Sequence, residues 1–557
     1  METDSKIEKR LLLAEDRFIS PLLFPDTETL NIKMWQVGGE PVSYAQALEA
    51  EYQTVKEGDP WGQPWDTAWF HFSGRVPERW RSCEVVALID LSFEQQEGFG
   101  REGLVWIEGK PMIAVSRNRT AVPLFEDSSG NEEVEFHVEA AANPAAEWHW
   151  GKAEHEETSS KKPLFRVKQA RLAIRDEQVF QLLIDYRVCR EAMQQLPLKS
   201  MRRARLRRAL SEACQLMNST SSSWVEAARK VLEPVMTCKN GDTAQQVFAV
   251  GHAHIDTAWC WPLRESIRKC ARTFSTALAY MEKHPDYHFS CSQPIHYVWM
   301  KHHYPDIFSG IQAAVKRGQW EPVGSMWVEA DCNIPSGESL VRQIMYGKHF
   351  FEREFGVETR DLWLPDVFGY SSALPQITQK SGIDWFMSQK ISWNDTNTFP
   401  YHSFLWEGHD GSQVFTHFPP VDTYNGRLTA EELNRADQGF TQKDQASSTL
   451  LPFGQGDGGG GPTLEMIERA RRWKDFEGLP RVKMGTVREF FEQAEAEMES
   501  PPIWHGELYL ELHRGTYTSQ GRNKRSNRQC ESLLREAEFF EALADILDPS
   551  PLLASDP

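Results

Sequence analysis

The sequence lacks the features that mark several classes of protein. Its nine cysteines include no Cys-x-x-Cys pair, and their odd number and scattered positions predict free thiols in a reducing compartment rather than a disulfide framework or a thiolate zinc site. No apolar run approaches the ~20 residues that cross a membrane, and charges interrupt the N-terminal stretch where a signal peptide needs an apolar core. Basic residues are the minority, 61 Lys and Arg against 80 Asp and Glu, and the net charge of −19 argues against nucleic acid or an anionic membrane as a partner. These absences predict an intracellular protein.

The chain is expected to contain about two or three domains, because 557 residues are too many for one hydrophobic core. Residues 1–160 carry short strand-like runs between turns, which favour a β-sandwich-like domain, and 161–240 show the pattern of a helical linker region. Residues 241–510 alternate between strand and helix patterns, which predicts an α/β domain with a parallel sheet or barrel, and any active site of such a domain lies at the carboxyl ends of the strands. Residues 511–557 contain a long helix, predicted at 524–546.

The most informative stretch is 247–262, VFAVGHAHIDTAWCWP. Its apolar start predicts a buried strand, and the alternation of side chains in an extended chain places His252, His254 and Asp256 on one face. Two imidazoles and a carboxylate at the end of a strand suit a divalent metal such as zinc. The alternative is a polar strand end with a hydrogen-bonded core histidine. The aspartate and the Trp-Cys-Trp cluster just after it favour the metal.

Asp366 lies at the end of a second predicted strand, in LWLPDVFGY, and an α/β layout can bring it to the same rim as Asp256. A carboxylate there can serve as a metal ligand and as a nucleophile, and a second carboxylic acid is then needed for the leaving group. Candidates lie in 504–519, although periodicity alone predicts that those acids are exposed. The Gly-rich run GDGGGGPT at 456–463 lacks the lysine of a phosphate-binding loop and the strand-to-helix pattern of a dinucleotide fingerprint.

Taken together, these stretches closely resemble glycoside hydrolase family 38, the class II α-mannosidases, and in particular their cytosolic and vacuolar branch. The resemblance covers 247–546, where five motifs occur in the family's order. They are GHAHIDTAWCWP (251–262), MWVEADCNIPSGESLVRQ (326–343), LWLPDVFGYS (362–371), GQGDGGGGPT (454–463) and GELYLELHRGTYTSQ (506–520). The run PWGQPWDTAWF at 60–70 resembles the N-terminal β-domain of that branch. The resemblance implies a cytoplasmic protein, or a vacuolar one in a eukaryote.

The resemblance implies a retaining hydrolase of terminal α-D-mannose in oligosaccharides, with one zinc ion or else cobalt. It also implies a parallel (β/α) barrel-like catalytic domain, preceded by the N-terminal β-sandwich and helical segment and followed by the start of a helical bundle. By motif position, His254 and Asp256 correspond to the first two metal ligands, and Asp366 corresponds to the third ligand and the nucleophile. A retaining enzyme needs a second carboxyl about 5–5.5 Å from the nucleophile. Rough alignment places this acid/base near Glu507, with Glu511 as the second choice.

Further residues of the motifs are expected to contact the substrate. Trp259 resembles the aromatic platform under the mannose, with simple packing as the alternative. Asp457 corresponds to a sugar contact in a loop at the substrate rim, and His513 and Arg514 are expected to contact substrate or to orient the acid. His252 is expected to support the metal pair rather than to bind the metal.

One departure from the family leaves two functions open. The family's fourth zinc ligand is a histidine in a His-Asp motif beyond the closing helix, and no histidine follows His513 here. The rest of the helical bundle and the C-terminal β-domains are also expected to be missing, so an apolar helix face would need a second copy of the chain or a complementing C-terminal half as cover. The protein is then either an active mannosidase, whose site is completed by water or an in-chain histidine, or a catalytically impaired fragment or pseudoenzyme. In the second case it acts as a binding or assembly module or as half of a split enzyme. A metal-dependent amidase or deacetylase is a third alternative, against which the GDGGGGPT and ELHRGTYTSQ runs argue.

Overall fold

The computed structural model describes residues 4–93, 98–144, 161–217 and 222–547. Within these ranges the chain forms two compact units. The first consists of the residues up to Cys291 together with Ile295–Pro322 and Pro419–Ser500, and the second consists of Ser292–Pro294, Val323–Phe418 and the residues from Pro501 onward. No helix in the described ranges is long and apolar enough to cross a membrane. The predicted boundary at 160 lies outside the described residues, and the four predicted domain limits stay predictions.

The N-terminal part of the first unit is rich in antiparallel β-structure. Its strands are β1 (Thr27–Thr29), β2 (Asn31–Val37), β3 (Gln53–Val55), β4 (Pro60–Trp61), β5 (Thr67–Arg75), β6 (Val85–Asp90), β7 (Glu102–Ile107), β8 (Lys110–Val115), β9 (Ala121–Phe125), β10 (Glu133–Ala141), β11 (Phe165–Arg166) and β12 (Gln169–Ile174). They form a four-stranded sheet in the order β1-β12-β6-β9, a six-stranded sheet in the order β3-β2-β5-β10-β7-β8, and the pair β11-β4. Strand β5 is buried from Thr67 to Phe70 and pairs along its whole length with β10. The region predicted to be β-rich is therefore observed as antiparallel sheets.

The helices include α1 (Asp4–Ala14), α2 (Tyr44–Leu48), α3 (Glu177–Gln195), α4 (Met201–Leu216), α5 (Val225–Met236), α6 (Leu263–Lys283), α7 (Pro294–His303), α8 (Pro305–Lys316), α9 (Gly337–Phe355), α10 (Leu374–Lys380), α11 (Ala430–Gly439), α12 (Leu464–Arg472), α13 (Val487–Glu497) and α14 (Gly521–Leu547). The helical pattern predicted for 161–240 is observed as α3, α4 and α5. The side chains of Asp176 and Ser200 start the first two of these by accepting hydrogen bonds from free N–H groups of the first helical turn.

The later strands are β13 (Gln246–His252), β14 (Phe289–Cys291), β15 (Trp320–Pro322), β16 (Asp361–Trp363), β17 (Trp385–Met387), β18 (Ser403–Glu407), β19 (Gln413–His417), β20 (Ser448–Phe453), β21 (Arg481–Met484) and β22 (Ile503–His505). In the first unit, β13 pairs in parallel with β20, β21 and β14, and β15 extends the sheet beyond β14. Residues Val247–Val250 are buried, as an unbroken apolar run predicts for a strand inside a parallel sheet. A Cβ at Gly251 would lie 2.4 Å from the carbonyl oxygen of His288, so the neighbouring strand requires glycine there. The HAHID motif thus starts at the carboxyl end of the central strand.

The second unit contains a five-stranded sheet in the order β16-β17-β19-β18-β22. Strands β16, β17 and β19 are parallel, β18 is antiparallel to β19, and β22 is parallel to β18. Leu362, Phe386 and Trp406 are fully buried in the hydrophobic core of this unit. Asp366 follows β16 at its carboxyl end, where the sequence predicts it.

The predicted (β/α) barrel is not observed among the described residues. Their parallel strands belong to two open sheets, one in each unit, and the sheet of the second unit includes the antiparallel pair β18–β19. This pair is a hairpin whose turn contains Gly411 at a φ of 81°. A hairpin returns the chain antiparallel, whereas a barrel needs a crossover that keeps neighbouring strands parallel. The predicted alternation of strands and helices is correct, and the fold is mixed α/β.

Helix α14 carries an exposed apolar surface in the second unit. Leu533, Leu534, Phe539 and Phe540 on this helix are 62, 65, 63 and 61% exposed. The sequence predicts this long helix as the first element of a bundle, and the helix is observed. Apolar patches of this kind are normally covered by another segment or another chain.

Candidate metal and catalytic residues

The first unit holds the histidine–aspartate pair that the sequence predicts as metal ligands. His254 is buried, at 3% exposure, and its Nε2 lies 3.5 Å from Oδ1 of Asp256. Two ligands of one tetrahedral zinc ion, each about 2.0–2.1 Å from the metal, are about 3.4 Å apart. The observed separation therefore fits a shared cation. An imidazole nitrogen with a carboxylate oxygen also suits the donor preference of zinc.

Two other buried histidines interact with this pair. His252, the last residue of β13, has its pKa lowered to about 3 by burial and by His254. His296 on α7 has its pKa lowered to about 3 for the same two reasons, and its Nε2 lies 3.1 Å from the hydroxyl of Thr257. Both rings are therefore neutral at neutral pH. Sequence reasoning did not single out His296, because its helix meets the motif only through folding.

Asp457 is held against the metal motif by the Gly-rich loop. Its carbonyl oxygen accepts from the N–H of Asp256 at 2.8 Å, and its carboxylate accepts from the hydroxyl of Tyr424 at 3.1 Å and from Nδ2 of Asn425 at 3.3 Å. The Tyr424 ring stands edge-on to that of His254, with centroids 5.1 Å apart. The φ of Asp457 is 62°, a left-handed conformation that costs free energy in a non-glycine residue and is frequent at functional sites. The structure thus brings Asp457 together with the predicted ligands His254 and Asp256.

Trp259 follows the metal motif and is 47% exposed. Its ring packs edge-to-face against Phe99, with centroids 5.3 Å apart. Packing therefore fixes one part of the indole and leaves the rest exposed, which is the arrangement that a platform for a sugar ring requires.

In the second unit, Asp366 is paired with a buried lysine. The Nζ of Lys390 lies 2.5 Å from Oδ1 of Asp366, and the lysine side chain is 3% exposed. The ammonium group also lies 3.6 Å from the ring centroid of Trp393 and 5.0 Å from that of Phe368, which adds favourable cation–π interactions. The sequence signal for Lys390 is one charge in the mainly apolar stretch WFMSQKISW, which is too weak to single it out.

A cavity of about 400 Å³ opens beside Asp366 in the second unit. Glu329 is an acidic side chain in the wall of this cavity, and it accepts a hydrogen bond of 2.9 Å from the hydroxyl of Ser292, which helps to fix its position. Ligand pockets in proteins are typically about 300–1,000 Å³, so the cavity has the size of a small-molecule site. Residues of its lining include Glu329, Asp331, Asp366, Phe368 and Thr516.

The two glutamates predicted as acid/base candidates differ in their surroundings. Glu511 accepts hydrogen bonds from the backbone N–H groups of Asn397 at 2.8 Å and Thr396 at 3.0 Å and from the Asn397 side chain, and these bonds lower its pKa. Its carboxylate is thus fixed in the ionised form, whereas a general acid needs a proton at the working pH. Glu507 is an exposed residue, and its backbone carbonyl accepts from Nε1 of Trp504 at 2.9 Å. The hydrogen bonds of Glu511 therefore argue against Glu511 as the general acid.

His513 shares the surroundings of Asp366. Its ring lies 4.8 Å from that of Phe368, and its φ of 53° is again left-handed. Burial lowers the pKa of His513 and so does Lys390, while the carboxylate of Asp366 acts in the opposite direction. The structure therefore brings His513 and Asp366, from separate motifs, into one electrostatic environment.

Arg514 belongs to the same turn as His513 but has different partners. Its Nε donates to the hydroxyl of Tyr509 at 3.2 Å, and its Nη1 lies 3.7 Å from the carboxylate of Asp395. The side chain is 56% exposed, so this ion pair contributes little to stability. Its role as a substrate contact stays a prediction.

Three family models match the chain, and together they span most of it. "Glycosyl hydrolases family 38 N-terminal domain" matches 244–507, "Alpha-mannosidase, jelly roll domain" matches 26–173, and "Alpha mannosidase middle domain" matches 511–554. The first of these matches contains His254, Asp256, Asp366 and Asp457.

Individual relatives agree with the family models. The chain is 37% identical over 549 residues to Alpha-mannosidase 2C1 of Homo sapiens, covering 95% of this chain and 51% of that protein. It is 36% identical over 557 residues to Alpha-mannosidase G of Dictyostelium discoideum, covering 98% and 50%. Among solved structures, an alpha-mannosidase from Enterococcus faecalis V583 aligns with a TM-score of 0.40 and 19% identity over 47% of this chain and 31% of that chain. The chain spans about half the length of the curated relatives it matches. By these family models and relatives, the chain belongs to glycosyl hydrolase family 38.

Proposed function

We propose that this chain carries the catalytic residues of a retaining α-mannosidase that releases terminal α-D-mannose from oligosaccharides. The observation that carries the proposal is the pair of buried His254 and partly exposed Asp256, spaced for a shared cation just beyond the carboxyl end of β13. The pair lies in the segment that matches family 38, and the curated relatives are named alpha-mannosidases. The activity is thus proposed from the site and the family together.

In this proposal His254, Asp256 and Asp366 bind one divalent cation, zinc or else cobalt. The histidine offers a ring nitrogen and each aspartate a carboxylate oxygen. Water or an in-chain histidine is the proposed fourth ligand, because only these three side chains form the candidate group among the described residues. When bound, the cation supplies electrostatic stabilisation and orients neighbouring hydroxyls of the mannose.

Asp366 is the proposed nucleophile. Its carboxylate attacks the anomeric carbon, the bond to the leaving oxygen breaks, and a covalent glycosyl-enzyme forms, which water then hydrolyses with overall retention. The ammonium of Lys390, 2.5 Å from Oδ1, holds this carboxylate in one orientation and balances its charge before the attack.

Glu507 is the proposed acid/base, which protonates the leaving oxygen and later takes a proton from water. The hydrogen bonds that fix Glu511 in its ionised form make it the second choice. Asp457 competes with both, because Tyr424 and Asn425 hold its carboxylate in the part of the first unit that contains the metal motif.

Kinetics on aryl α-mannosides separate these three acids. Loss of the acid slows substrates with poor leaving groups far more than substrates with good ones, because only the former need protonation. The variants to compare are Glu507→Gln, Glu511→Gln and Asp457→Asn. The acid/base is the residue whose loss makes the turnover rate depend most steeply on the quality of the leaving group. In that variant, azide should also restore turnover of the substrate with the good leaving group. If the turnover rate of Glu507→Gln does not depend on the leaving group, Glu507 is not the acid/base.

The direct test of the function measures hydrolysis of an aryl α-mannoside by the zinc-loaded and cobalt-loaded chain, alone and with the C-terminal half of a full-length relative. We expect mannose to be released with the α-anomer formed first, as seen by proton NMR. No turnover in any of these combinations would refute the proposed activity. Formation of the β-anomer first would instead refute the retaining mechanism.

The second candidate function is a catalytically impaired fragment or pseudoenzyme that serves as a binding or assembly module. The exposed apolar residues of α14 favour it, because such a face suits a second copy of the chain or a complementing C-terminal half. Elemental analysis of the purified chain separates the two candidates. The enzyme should hold about one zinc per chain, as a closed protein site does, and the module should hold none.

The proposal also covers the location of the protein, which is cytoplasmic, with the vacuole as the alternative in a eukaryote. None of the nine cysteines, all of which lie in the described ranges, forms a disulfide, which is typical of a reducing compartment. Imaging of the chain fused to a fluorescent protein in its own host tests this, and a signal outside the cell would contradict it.

A further inference from the structure

The Gly-rich loop, Gly454–Pro462, has little ability to fix its own shape. Residues Gly459–Gly461 all have positive φ, and glycine loses more conformational freedom on ordering than any other residue. Gln455 and Gly461 exchange two backbone hydrogen bonds of 2.9 Å, which close the base of the loop. The stretch between them, which contains Asp457, is therefore fixed by other parts of the first unit.

Arg119 of the N-terminal β-rich region holds three carbonyl groups of this loop. Its Nη2 lies 2.6 Å from the carbonyl oxygen of Gly460, 2.9 Å from that of Gly461 and 2.8 Å from that of Pro462, and donates to them. Arg119 is buried, at 5% exposure, and its backbone exchanges two hydrogen bonds of 3.1 Å with Ser116, which close the turn between β8 and β9. A charge-assisted donor held in this way is a strong restraint on the loop.

Two further contacts fix the loop to the same framework. Thr273 on α6 accepts a hydrogen bond from the N–H of Gly460 at 2.8 Å. Gly458 lies directly against Gly98, since a Cβ at Gly458 would be 2.2 Å from the Gly98 carbonyl oxygen. Lys269 on α6 donates to that same carbonyl at 2.7 Å. The loop thus rests on the N-terminal region and on the helix that follows the metal motif.

We propose that Arg119 is a positioning residue for the catalytic site and acts through Asp457. By holding Gly460–Pro462, it fixes the loop in which the Asp457 carbonyl accepts the Asp256 N–H and the Asp457 carboxylate is held beside the metal motif. The N-terminal region then takes part in catalysis without supplying a group that contacts substrate. The kinetic consequence rests on the proposed function, whereas the effect on the loop rests on these contacts alone.

The effect on the loop is tested by hydrogen–deuterium exchange of the metal-loaded full chain. Arg119→Ala and the conservative Arg119→Lys are compared with Arg117→Ala. Arg117 is the matched control because it is an exposed arginine of the same turn that makes no hydrogen bond to the loop within the described ranges. We expect exchange in peptides covering 454–463 to be about tenfold faster or more in Arg119→Ala, intermediate in Arg119→Lys and unchanged in the control. Equal exchange in all variants overturns the proposal, whether or not the protein hydrolyses mannosides.

The effect on catalysis is tested by a double-mutant cycle with Asp457→Asn, using an aryl α-mannoside with a good leaving group so that turnover stays measurable. Arg119→Ala should lower kcat about 10- to 100-fold with a smaller change in KM, as for a misplaced group in a catalytic site. Arg119→Lys should restore part of the rate. Because Arg119 acts through Asp457, the double variant should be no slower than Asp457→Asn alone. If the fold-reductions in kcat of the two single variants multiply in the double variant, the proposal is overturned, since a merely structural loss acts independently of Asp457. A wild-type chain without activity refutes the proposed function instead, and the exchange experiment then decides the role of Arg119.

Discussion

Replacing Glu265 by glutamine tests how the first unit stabilises the helix that follows the metal motif. Glu265 lies on α6, with Oε1 3.2 Å from Nη1 of Arg268 and Oε2 3.4 Å from Nη2 of Arg272. Asn143 also donates to Oε2 at 3.0 Å. The substitution removes the charge, keeps the size of the side chain and keeps an oxygen that can accept from Asn143. The buried charged cluster around it consists of Glu102, Glu139, Glu265, Arg268, Lys269 and Arg272.

The expected loss of stability follows from the pKa of this carboxyl group. Burial alone would raise it, but the guanidinium groups of Arg268 and Arg272 outweigh burial and lower the pKa of Glu265 from 4.5 to about 2. A difference of about 2.5 units between the folded and unfolded chain corresponds to about 3 kcal/mol of unfolding free energy at neutral pH. Removing one partner of a buried ion pair typically costs about 3–5 kcal/mol, which agrees. Glu265→Gln should therefore lower the unfolding free energy by about 3 kcal/mol at neutral pH.

Glu139 provides the matched control within the same cluster. Burial raises the pKa of Glu139 although Arg268 and Arg272 act against the rise, so its charge is unfavourable in the folded chain. Glu139→Gln should change the unfolding free energy by less than about 1 kcal/mol at neutral pH. The two acids also differ in the sign of their pH dependence. The stability contributed by Glu265 is present above its unfolded pKa of 4.5 and is lost as the pH falls through its folded value of about 2. The pKa of Glu139 is raised, so its contribution to the stability of the folded chain increases as the pH falls and the carboxyl group becomes protonated.

The assay is urea unfolding of wild type and both variants, followed by tryptophan fluorescence at neutral pH and at several pH values below the ordinary pKa of a glutamate. The difference between wild type and Glu265→Gln should be largest at neutral pH and should narrow steadily in acid. Equal losses in the two variants would contradict the reasoning, because both remove one buried carboxylate from the same cluster. A difference that does not change with pH would show that the charge of Glu265 is not what stabilises the fold.

Three further predictions concern the proposed nucleophile, a proposed metal ligand and the lysine paired with the nucleophile. Asp366→Asn should lower kcat for an aryl α-mannoside on the order of 10⁴-fold or more with an unchanged circular dichroism spectrum, and a surviving rate would remove its role as nucleophile. His254→Ala should reduce the zinc content, measured by elemental analysis, from about one per chain to near zero, and an unchanged content would contradict its role as ligand. Lys390→Met should lower kcat about 100-fold with little change in KM, because Asp366 loses the ammonium that orients it, and Lys390→Arg should retain more activity. An unaffected kcat in Lys390→Met would show that the ion pair serves stability alone.

The elements around the metal motif could be predicted from local sequence patterns. The strand predicted at 247–252 is observed as β13, and the helix predicted at 524–546 is observed as α14. Both depend on signals within one segment, an unbroken apolar run in the first case and a helical period in the second. Whether the parallel strands form open sheets or a closed barrel could not be predicted in the same way. It depends on which strands pair, and the same alternation of strands and helices is compatible with an open sheet and with a barrel.

The contacts of Arg119 and Lys390 could not be predicted, because they join segments that meet only when the chain folds. Arg119 meets Gly460 across 341 residues of sequence. A lone arginine or lysine is most often a solvated surface charge, and nothing in the residues beside these two shows that they are buried. The motif identifies Asp366 from the sequence, whereas the ion pair between Asp366 and the ammonium group of Lys390 is visible only in the folded chain.

Close packing in the folded chain explains why the run GDGGGGPT contains so many glycines. The sequence shows the run but not the segments that it packs against. The missing lysine argues against a phosphate-binding loop, yet the sequence does not show why so many glycines are needed. A Cβ at Gly458 would lie 2.2 Å from the carbonyl oxygen of Gly98, and one at Gly459 would lie 2.6 Å from the hydroxyl of Thr273. Side chains are therefore excluded because the loop packs closely on the N-terminal region and on α6. Gly98 and Arg119 lie outside all five motifs. The proposed role of Arg119 therefore predicts that a substitution in the N-terminal region displaces Asp457 while every motif residue stays unchanged.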